Sequence, residues 1–91
     1  MLRINVPTTS SVPLSQSLFD RYNLPHPLNG TDMEISGDMV LIFENEQQAV
    51  KYLDELEDSA SSVDDDSTEK NILNALITAV NNDTFVRAYL G

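Results

Sequence analysis

The chain has 91 residues and a mass of 10.1 kDa, which supports a single domain because so short a chain cannot bury two separate cores. Fifteen Asp and Glu residues oppose five Lys and Arg residues, giving a formal net charge of −10 with the single histidine neutral. This charge excludes direct binding to nucleic acid or to an anionic membrane surface. The absence of cysteine excludes disulfides, thiolate metal sites and thiol nucleophiles.

The sequence has no features of an exported or membrane-inserted protein. Residues 1–7 have neither the apolar stretch of a signal peptide nor a small-residue cleavage site. The longest apolar run, Met39–Phe43, is far shorter than the ~20 residues that a membrane-spanning helix needs. We therefore expect a cytoplasmic protein that does not contact a membrane.

Three segments have the pattern of β-strands. Leu2–Val6 alternates between apolar and polar residues, as a half-buried strand does. Residues 32–36 alternate in the same way, and Gly37-Asp38 predicts a two-residue turn into a third strand at 39–44. The second and third strands are therefore expected to form a β-hairpin over 32–44. Because the third strand is apolar on both faces, it suits the middle of the sheet.

Four segments have apolar residues at the spacing of amphipathic helices, with expected ranges of 13–23, 45–57, 67–80 and 83–90. Between the second and third of them, residues 58–67 are small, polar and acidic, which predicts a mobile loop. The sequence thus predicts one α+β domain over residues 1–91. Its small, mainly antiparallel three-stranded sheet is packed by three to four short helices.

Enzymatic activity is not expected. His26 is the only imidazole and lies between two prolines, where a structural loop histidine is a far more common finding than a catalytic base held beside a nucleophile. The three glycines are isolated and form no phosphate-binding loop. The carboxylates fall on helix faces and in a loop, without the apolar burial that raises the pKa of a general acid. We assign no catalytic residue and no cofactor.

A metal site is not expected either. Residues 58–69 have the length of an EF-hand calcium loop, with Asp64 at position 7 and Asp66 at position 9. The pattern fails at Ala60 in position 3 and at Val63 in position 6, where that loop needs a glycine. Weak binding of a divalent cation by the Asp64 to Asp66 cluster is left open.

The concentration of acidic residues is the clearest functional signal. Ten of the residues at positions 44–69 are acidic, and only Lys51 opposes them there. Carboxylates three or four positions apart on a helix lie ~5–6 Å from each other, which approximates the ~7 Å spacing of phosphates along one DNA strand. Such a surface can occupy a basic groove suited to nucleic acid. The residues expected to bind a basic partner are Asp54, Glu55, Glu57, Asp58, Asp64, Asp65 and Asp66.

In size and charge the chain is similar to the small acidic inhibitors made by bacteriophages, which imitate nucleic acid. That similarity is one of composition and transfers no residue roles. The sequence therefore favours a small non-enzymatic interaction protein that binds a basic protein surface, with inhibition of a nucleic-acid-handling protein as its specific form.

The alternative is a structural or regulatory module that self-associates, as a homodimer, through an apolar surface while its charge serves only solubility. Two segments supply that surface: the strand Met39–Phe43, and a last helix in which Phe85, Val86, Tyr89 and Leu90 are expected to act as anchors. The dependence of binding on salt concentration distinguishes the two hypotheses. Binding through carboxylates weakens steeply between about 50 and 200 mM salt, whereas apolar association holds or strengthens.

Overall fold

The computed structural model describes residues 1–7, 18–22, 24–27, 29–34 and 37–91. Within these residues the strands and helices follow the order β1 (Leu2–Val6), α1 (Leu18–Tyr22), β2 (Thr31–Met33), β3 (Met39–Phe43), α2 (Glu46–Ser61), α3 (Thr68–Asn81) and α4 (Thr84–Leu90). The strands form one antiparallel sheet in the order β1-β3-β2. The predicted α+β class and three-stranded antiparallel sheet are confirmed.

The central position of β3 is explained by its composition. Its register places Leu41 opposite Ile4 and Met39 opposite Val6 of β1, so that alternate side chains of both strands are buried under the helices. On the opposite face of β3, Val40 is also fully buried. A strand with apolar residues on both faces needs cover on both of them, and this composition suits a strand in the middle of a sheet.

The connection between β2 and β3 is longer than predicted. Strand β2 ends at Met33, and residues 35–36 lie outside the described part of the chain. The N–H of Glu34 donates to the carbonyl of Asp38 at 2.8 Å, and the N–H of Gly37 donates back to the carbonyl of Glu34 at 2.9 Å. Gly37 has a φ of +95°, where a side chain would be strained. The turn therefore begins at Glu34 and not at Gly37-Asp38 alone.

Helix α2 begins as predicted and ends later. The side chain of Asn45 accepts from the N–H of Gln48 at 3.0 Å, and the Gln48 side chain accepts from the N–H of Glu44 at 2.9 Å. The predicted end at residue 57 is wrong, because the helix continues to Ser61 with Ala60 still on its buried face. The predicted loop at 58–67 is therefore shortened to 62–67, for which mobility stays a prediction.

The two C-terminal helices begin within one residue of the predicted positions. The Ser67 hydroxyl accepts from the N–H of Lys70, and the Asp83 carboxylate accepts from the N–H groups of Phe85 and Val86. The predicted anchors of α4 are only partly right. Val86 is fully buried, whereas Phe85, Tyr89 and Leu90 are 61%, 54% and 52% exposed. Helical spacing places these four residues on one side of a two-turn helix, but Val86 alone among them is buried.

The first helix is described over Leu18–Tyr22, and the predicted positions 13–17 and 23 lie outside the described residues. Phe19 is buried in the core, and its carbonyl accepts from the N–H of Leu24 at 2.9 Å. The Tyr52 hydroxyl on α2 donates to the carbonyl of Pro25 at 2.8 Å and so fixes the following segment against the core. In the described part of the chain, no helix combines the length and the apolar character needed to cross a bilayer.

Candidate functional site

The seven predicted binding residues lie on two consecutive segments that we call the acidic surface. Asp54, Glu55, Glu57 and Asp58 belong to the second half of α2, and Asp64, Asp65 and Asp66 belong to the connection from α2 to α3. All seven are exposed. Their role in binding a partner stays a prediction.

Packing of α2 directs its four carboxylates outward. At about 100° per residue, Asp54 and Asp58 lie on one line along the helix, and Glu55 and Glu57 flank that line on either side. The opposite side carries the buried residues, which are Ala49, Tyr52, Leu53, Leu56 and Ala60. The same apolar stripe that holds α2 in the core therefore presents the acidic side chains to solvent.

Lys70 organises the end of the acidic surface. Its Nζ donates to the carbonyl of Ala60 at 2.8 Å and lies 3.3 Å from Oδ1 of Asp65. Helix α2 has no basic residue in its last turn, so this ammonium supplies the positive charge that a helix C-terminus favours. Among the described residues, Asp65 is the one member of the acidic surface with a cationic partner. The other six carboxylates have no such ion pair there.

The acidic connection does not have the backbone geometry of the calcium loop whose spacing it matches. No group of three histidine or carboxylate side chains is placed to hold a metal ion in the described part of the chain. The first four positions of the calcium-loop spacing, residues 58–61, belong to helix α2 instead of a loop. A helical segment directs its side chains around the axis and cannot wrap them about one ion.

His26 has the contacts of a structural residue. Its Nε2 lies 3.4 Å from Oδ1 of Asp20, and its ring packs against Phe19 with centroids 5.2 Å apart. The cavity beside it measures about 120 Å³, below the ~300 Å³ at which small-molecule sites begin. None of its contacts among the described residues joins the imidazole to a serine or threonine hydroxyl.

A larger groove of about 730 Å³ lies between β1 and α3. Its lining consists of Ile4, Asn5, Val6, Pro7, Asn71, Asn74, Ala75, Thr78, Ala79, Asn82, Asp83 and Thr84. Asp83 is the one ionisable residue of this lining, and its carboxylate already caps α4. The groove therefore lacks the convergent titratable groups of an active site.

The sequence interpretation did not identify this groove. The sequence does contain a feature that indicates the groove: residues 71–82 have no charged side chain, although the whole chain has a net charge of −10. Within that stretch, small and amide side chains recur at helical spacing on the side of α3 that faces β1. The position of β1 beside them could not be deduced, because it depends on the strand order.

Two ionisable groups have shifted pKa values for structural reasons. Burial raises the pKa of Tyr52 well above its usual range, and the nearby Glu55 carboxylate adds to the effect. The backbone N–H of Met33, which donates to Asp32, lowers the pKa of Asp32, and the hydrogen bond from Arg3 lowers it further. Neither group belongs to the acidic surface.

Comparisons with known proteins supply no relative from which a role could be transferred. No protein-family model matches the chain, and no curated protein or solved structure matches it. The acidic surface and the groove are therefore interpreted from their own residues and geometry.

Proposed function

We propose that the chain is a small, non-enzymatic, cytoplasmic interaction protein whose acidic surface binds a basic surface of a partner protein. The observation that supports this function is the exposure of all seven carboxylates on one helix and the connection that follows it. Only Asp65 among them has a cationic partner in the described residues. Unneutralised carboxylates attract a basic partner over long range and form charge-assisted hydrogen bonds on contact.

The specific partner that we propose is a nucleic-acid-handling protein, which the chain inhibits by occupying its basic groove. Asp54 and Asp58 lie one turn apart on a helix whose position is fixed by core packing. A rigid row of carboxylates at ~5–6 Å imitates the repeated negative charge of a nucleic acid strand. The arginine and lysine side chains that neutralise phosphates would then neutralise these carboxylates.

A non-enzymatic role is supported by the chemistry of the two cavities considered above. The larger groove contains one ionisable side chain, which already caps a helix. The cavity beside His26 gathers several ionisable side chains but measures about 120 Å³, which is below the size of small-molecule sites. Catalysis needs a preorganised pocket in which several reactive groups converge.

A charge-reversal variant tests this function. Asp54→Lys, Glu57→Lys and Asp58→Lys together reverse three exposed charges on α2 and leave its buried stripe intact. The matched control is Asp20→Lys, Glu34→Lys and Glu46→Lys, which changes the net charge equally at described positions outside the acidic surface. Circular dichroism should show both variants folded.

Binding is measured by capture from a cell lysate on each immobilised protein, with elution by rising salt. The wild-type chain and the control should retain a basic nucleic-acid-binding protein that added DNA or RNA displaces, and the α2 variant should retain none. Release should occur between about 50 and 200 mM salt. Equal retention by the α2 variant would contradict the proposed function.

The self-associating module remains the alternative, and exposure of Phe85, Tyr89 and Leu90 on α4 is the observation that favours it. Under this alternative, the chain associates with itself through apolar contacts that strengthen at high salt. The acidic surface would then serve solubility only, and the α2 variant would bind as the wild-type chain does.

A further inference from the structure

The hydrogen bonds of the sheet determine which backbone groups of β3 face each neighbour. The N–H of Ile42 donates to the carbonyl of Gly30 at 3.1 Å, on the β2 side. In an antiparallel pair, residues alternate between directing both backbone groups toward the partner and directing both away. Val40 therefore also faces β2, and the intervening residues Met39 and Leu41 direct their groups toward β1.

The same alternation continues into β1. Leu41 is opposite Ile4, and Met39 is opposite Val6, so Ile4 and Val6 direct their backbone groups toward β3. Arg3 and Asn5, which lie between these positions, direct their N–H and C=O groups away from the sheet. Within the described residues these outward groups have no hydrogen-bond partner. In the part of the chain that the structure describes, they form an open edge of two donors and two acceptors.

The other edge of the sheet is partly closed. By the same alternation, Thr31 and Met33 of β2 direct their backbone groups outward. The N–H of Met33 donates to Oδ1 of its neighbour Asp32 at 2.8 Å. A carboxylate that occupies an edge N–H discourages another strand from pairing there. Among the described backbone groups, the β1 edge therefore keeps both of its outward N–H groups available, whereas the β2 edge keeps one.

The groove beside β1 is lined mainly by side chains without charge, so two copies of this acidic chain can approach each other there. Its α3 side carries Asn71, Asn74 and Thr78, which can donate and accept hydrogen bonds without carrying charge. Most of the surface of a chain with net charge −10 repels a second copy. The repulsion is weakest along this groove, where Asp83 is the one ionisable residue of the lining.

We propose that a second copy of this chain occupies the open edge, with the two β1 strands paired antiparallel about a two-fold axis. The three-stranded sheets then join into one six-stranded sheet. Pairing Arg3 with Asn5 of the second copy places Ile4 on the axis and satisfies all the outward groups of both residues. Pro7 has no N–H and ends the ladder beyond them.

The side chains around the axis fit this arrangement. The Arg3 guanidinium lies 3.2 Å from Asp32 and 3.8 Å from Glu34, so its charge is compensated within its own chain. Arg3 can therefore approach the same region of a second copy without strong repulsion. The α3 helices of the two copies flank the joined strands and bring their Asn and Thr side chains together. This inference does not depend on what the acidic surface binds.

The first test measures mass in solution and amide exchange over a wide range of concentrations. Sedimentation should show twice the 10.1 kDa mass of one chain. Hydrogen exchange at the Arg3 and Asn5 amides should slow as concentration rises, whereas exchange at Thr31 should not. A single-chain mass at every concentration would overturn the proposal. It would do so even if an added extended peptide protected the β1 amides from exchange, because the edge would then bind another protein and not a second copy of this chain.

Proline variants locate the interface. Asn5→Pro removes an outward N–H without removing a hydrogen bond of the sheet, and Thr31→Pro does the same at the other edge. Asn5→Pro should weaken dimerisation by about tenfold or more, and Thr31→Pro should leave it unchanged. A dimer that Asn5→Pro does not weaken, or that Phe85→Ser abolishes instead, contradicts pairing through β1.

A second pair of variants keeps the test valid if the proline variants do not fold. Thr78→Glu places a negative charge in the groove, and Asn81→Glu places the same charge on α3 outside the groove lining. Both positions are exposed, so the fold should tolerate both changes. Thr78→Glu should lower the dimer fraction and Asn81→Glu should not. Equal dimer fractions in the two variants would overturn the proposal.

Discussion

Helices α2 and α3 bury similar apolar stripes against neighbouring strands of one sheet, yet their outward surfaces differ in charge. Helix α2 packs against β3 and carries four exposed carboxylates in its second half, whereas α3 packs against β1 and has no ionisable residue over 71–82. The core requires only the buried side of each helix. The contrast on the outer sides is therefore not explained by folding, and we interpret it as two surfaces for two kinds of partner.

The largest expected effects test whether the two buried stripes are equivalent. Leu56 on α2 and Leu76 on α3 are both fully buried in the same core cluster. Leu56→Ala and Leu76→Ala should each lower the free energy of unfolding by about 2–5 kcal/mol. Urea denaturation measures both losses. A large loss for one variant and a negligible loss for the other would show that only one of the helices is packed as described.

The helix caps give a smaller effect and should also be equivalent. The Asn45 side chain accepts from Gln48 N–H at the start of α2, and Ser67 accepts from Lys70 N–H at the start of α3. Asn45→Ala and Ser67→Ala should each cost about 0.5–2 kcal/mol. Thermal unfolding followed by circular dichroism should show lowered midpoints for both variants. Asn81→Ala, at a position that caps no helix start, is the control and should leave the midpoint nearly unchanged.

A titratable group distinguishes the buried side of α2 from that of α3. Tyr52 is 3% exposed and donates to Pro25, so Tyr52→Phe should cost about 0.5–1.5 kcal/mol. Because folding raises the pKa of Tyr52, the folded state holds this proton more tightly than the unfolded state does. The contribution of Tyr52 to stability should therefore be fully present below about pH 10 and be lost as the pH rises further. Denaturation at alkaline pH should show a weaker decline for Tyr52→Phe, and an identical decline would contradict this account.

The smallest expected effect concerns the contact that joins the two helices. Lys70→Met removes the hydrogen bond to the Ala60 carbonyl and the exposed ion pair to Asp65, and should cost about 1 kcal/mol or less. The loss of stability should be concentrated in the last turn of α2, because that turn would lose the cation beside its C-terminus. Amide exchange should accelerate at residues 58–61 and stay unchanged near Ala49. Unaltered exchange at 58–61 would show that packing of Ala60 alone maintains that turn.

Local patterns were sufficient for most of the secondary structure. Alternation defined β1, an apolar run placed β3 at the centre of the sheet, and apolar residues at helical spacing marked α2, α3 and α4. These features depend on residues close together in the chain. The α+β class follows from their order.

Features that depend on distant residues were not predictable. The last turn of α2 is polar in sequence and persists because Ala60 packs in the core and Lys70, ten positions later, binds its carbonyl. In the same way, spacing on α4 did not reveal that only Val86 finds a partner surface. Exposure of the acidic residues followed from composition, but the open edge of β1 required the strand order.

The hydrogen bond from the Met33 N–H to Asp32 also bears on aggregation. A sheet with two open edges can add strands without limit and grow into fibrils, whereas a sheet with one open edge stops after a single symmetric pairing. By occupying one of the two outward N–H groups of β2, Asp32 makes the addition of a strand at that edge less favourable. Because its pKa is lowered, its carboxylate stays ionised in more acidic solution than that of an ordinary aspartate, which extends this protection toward low pH.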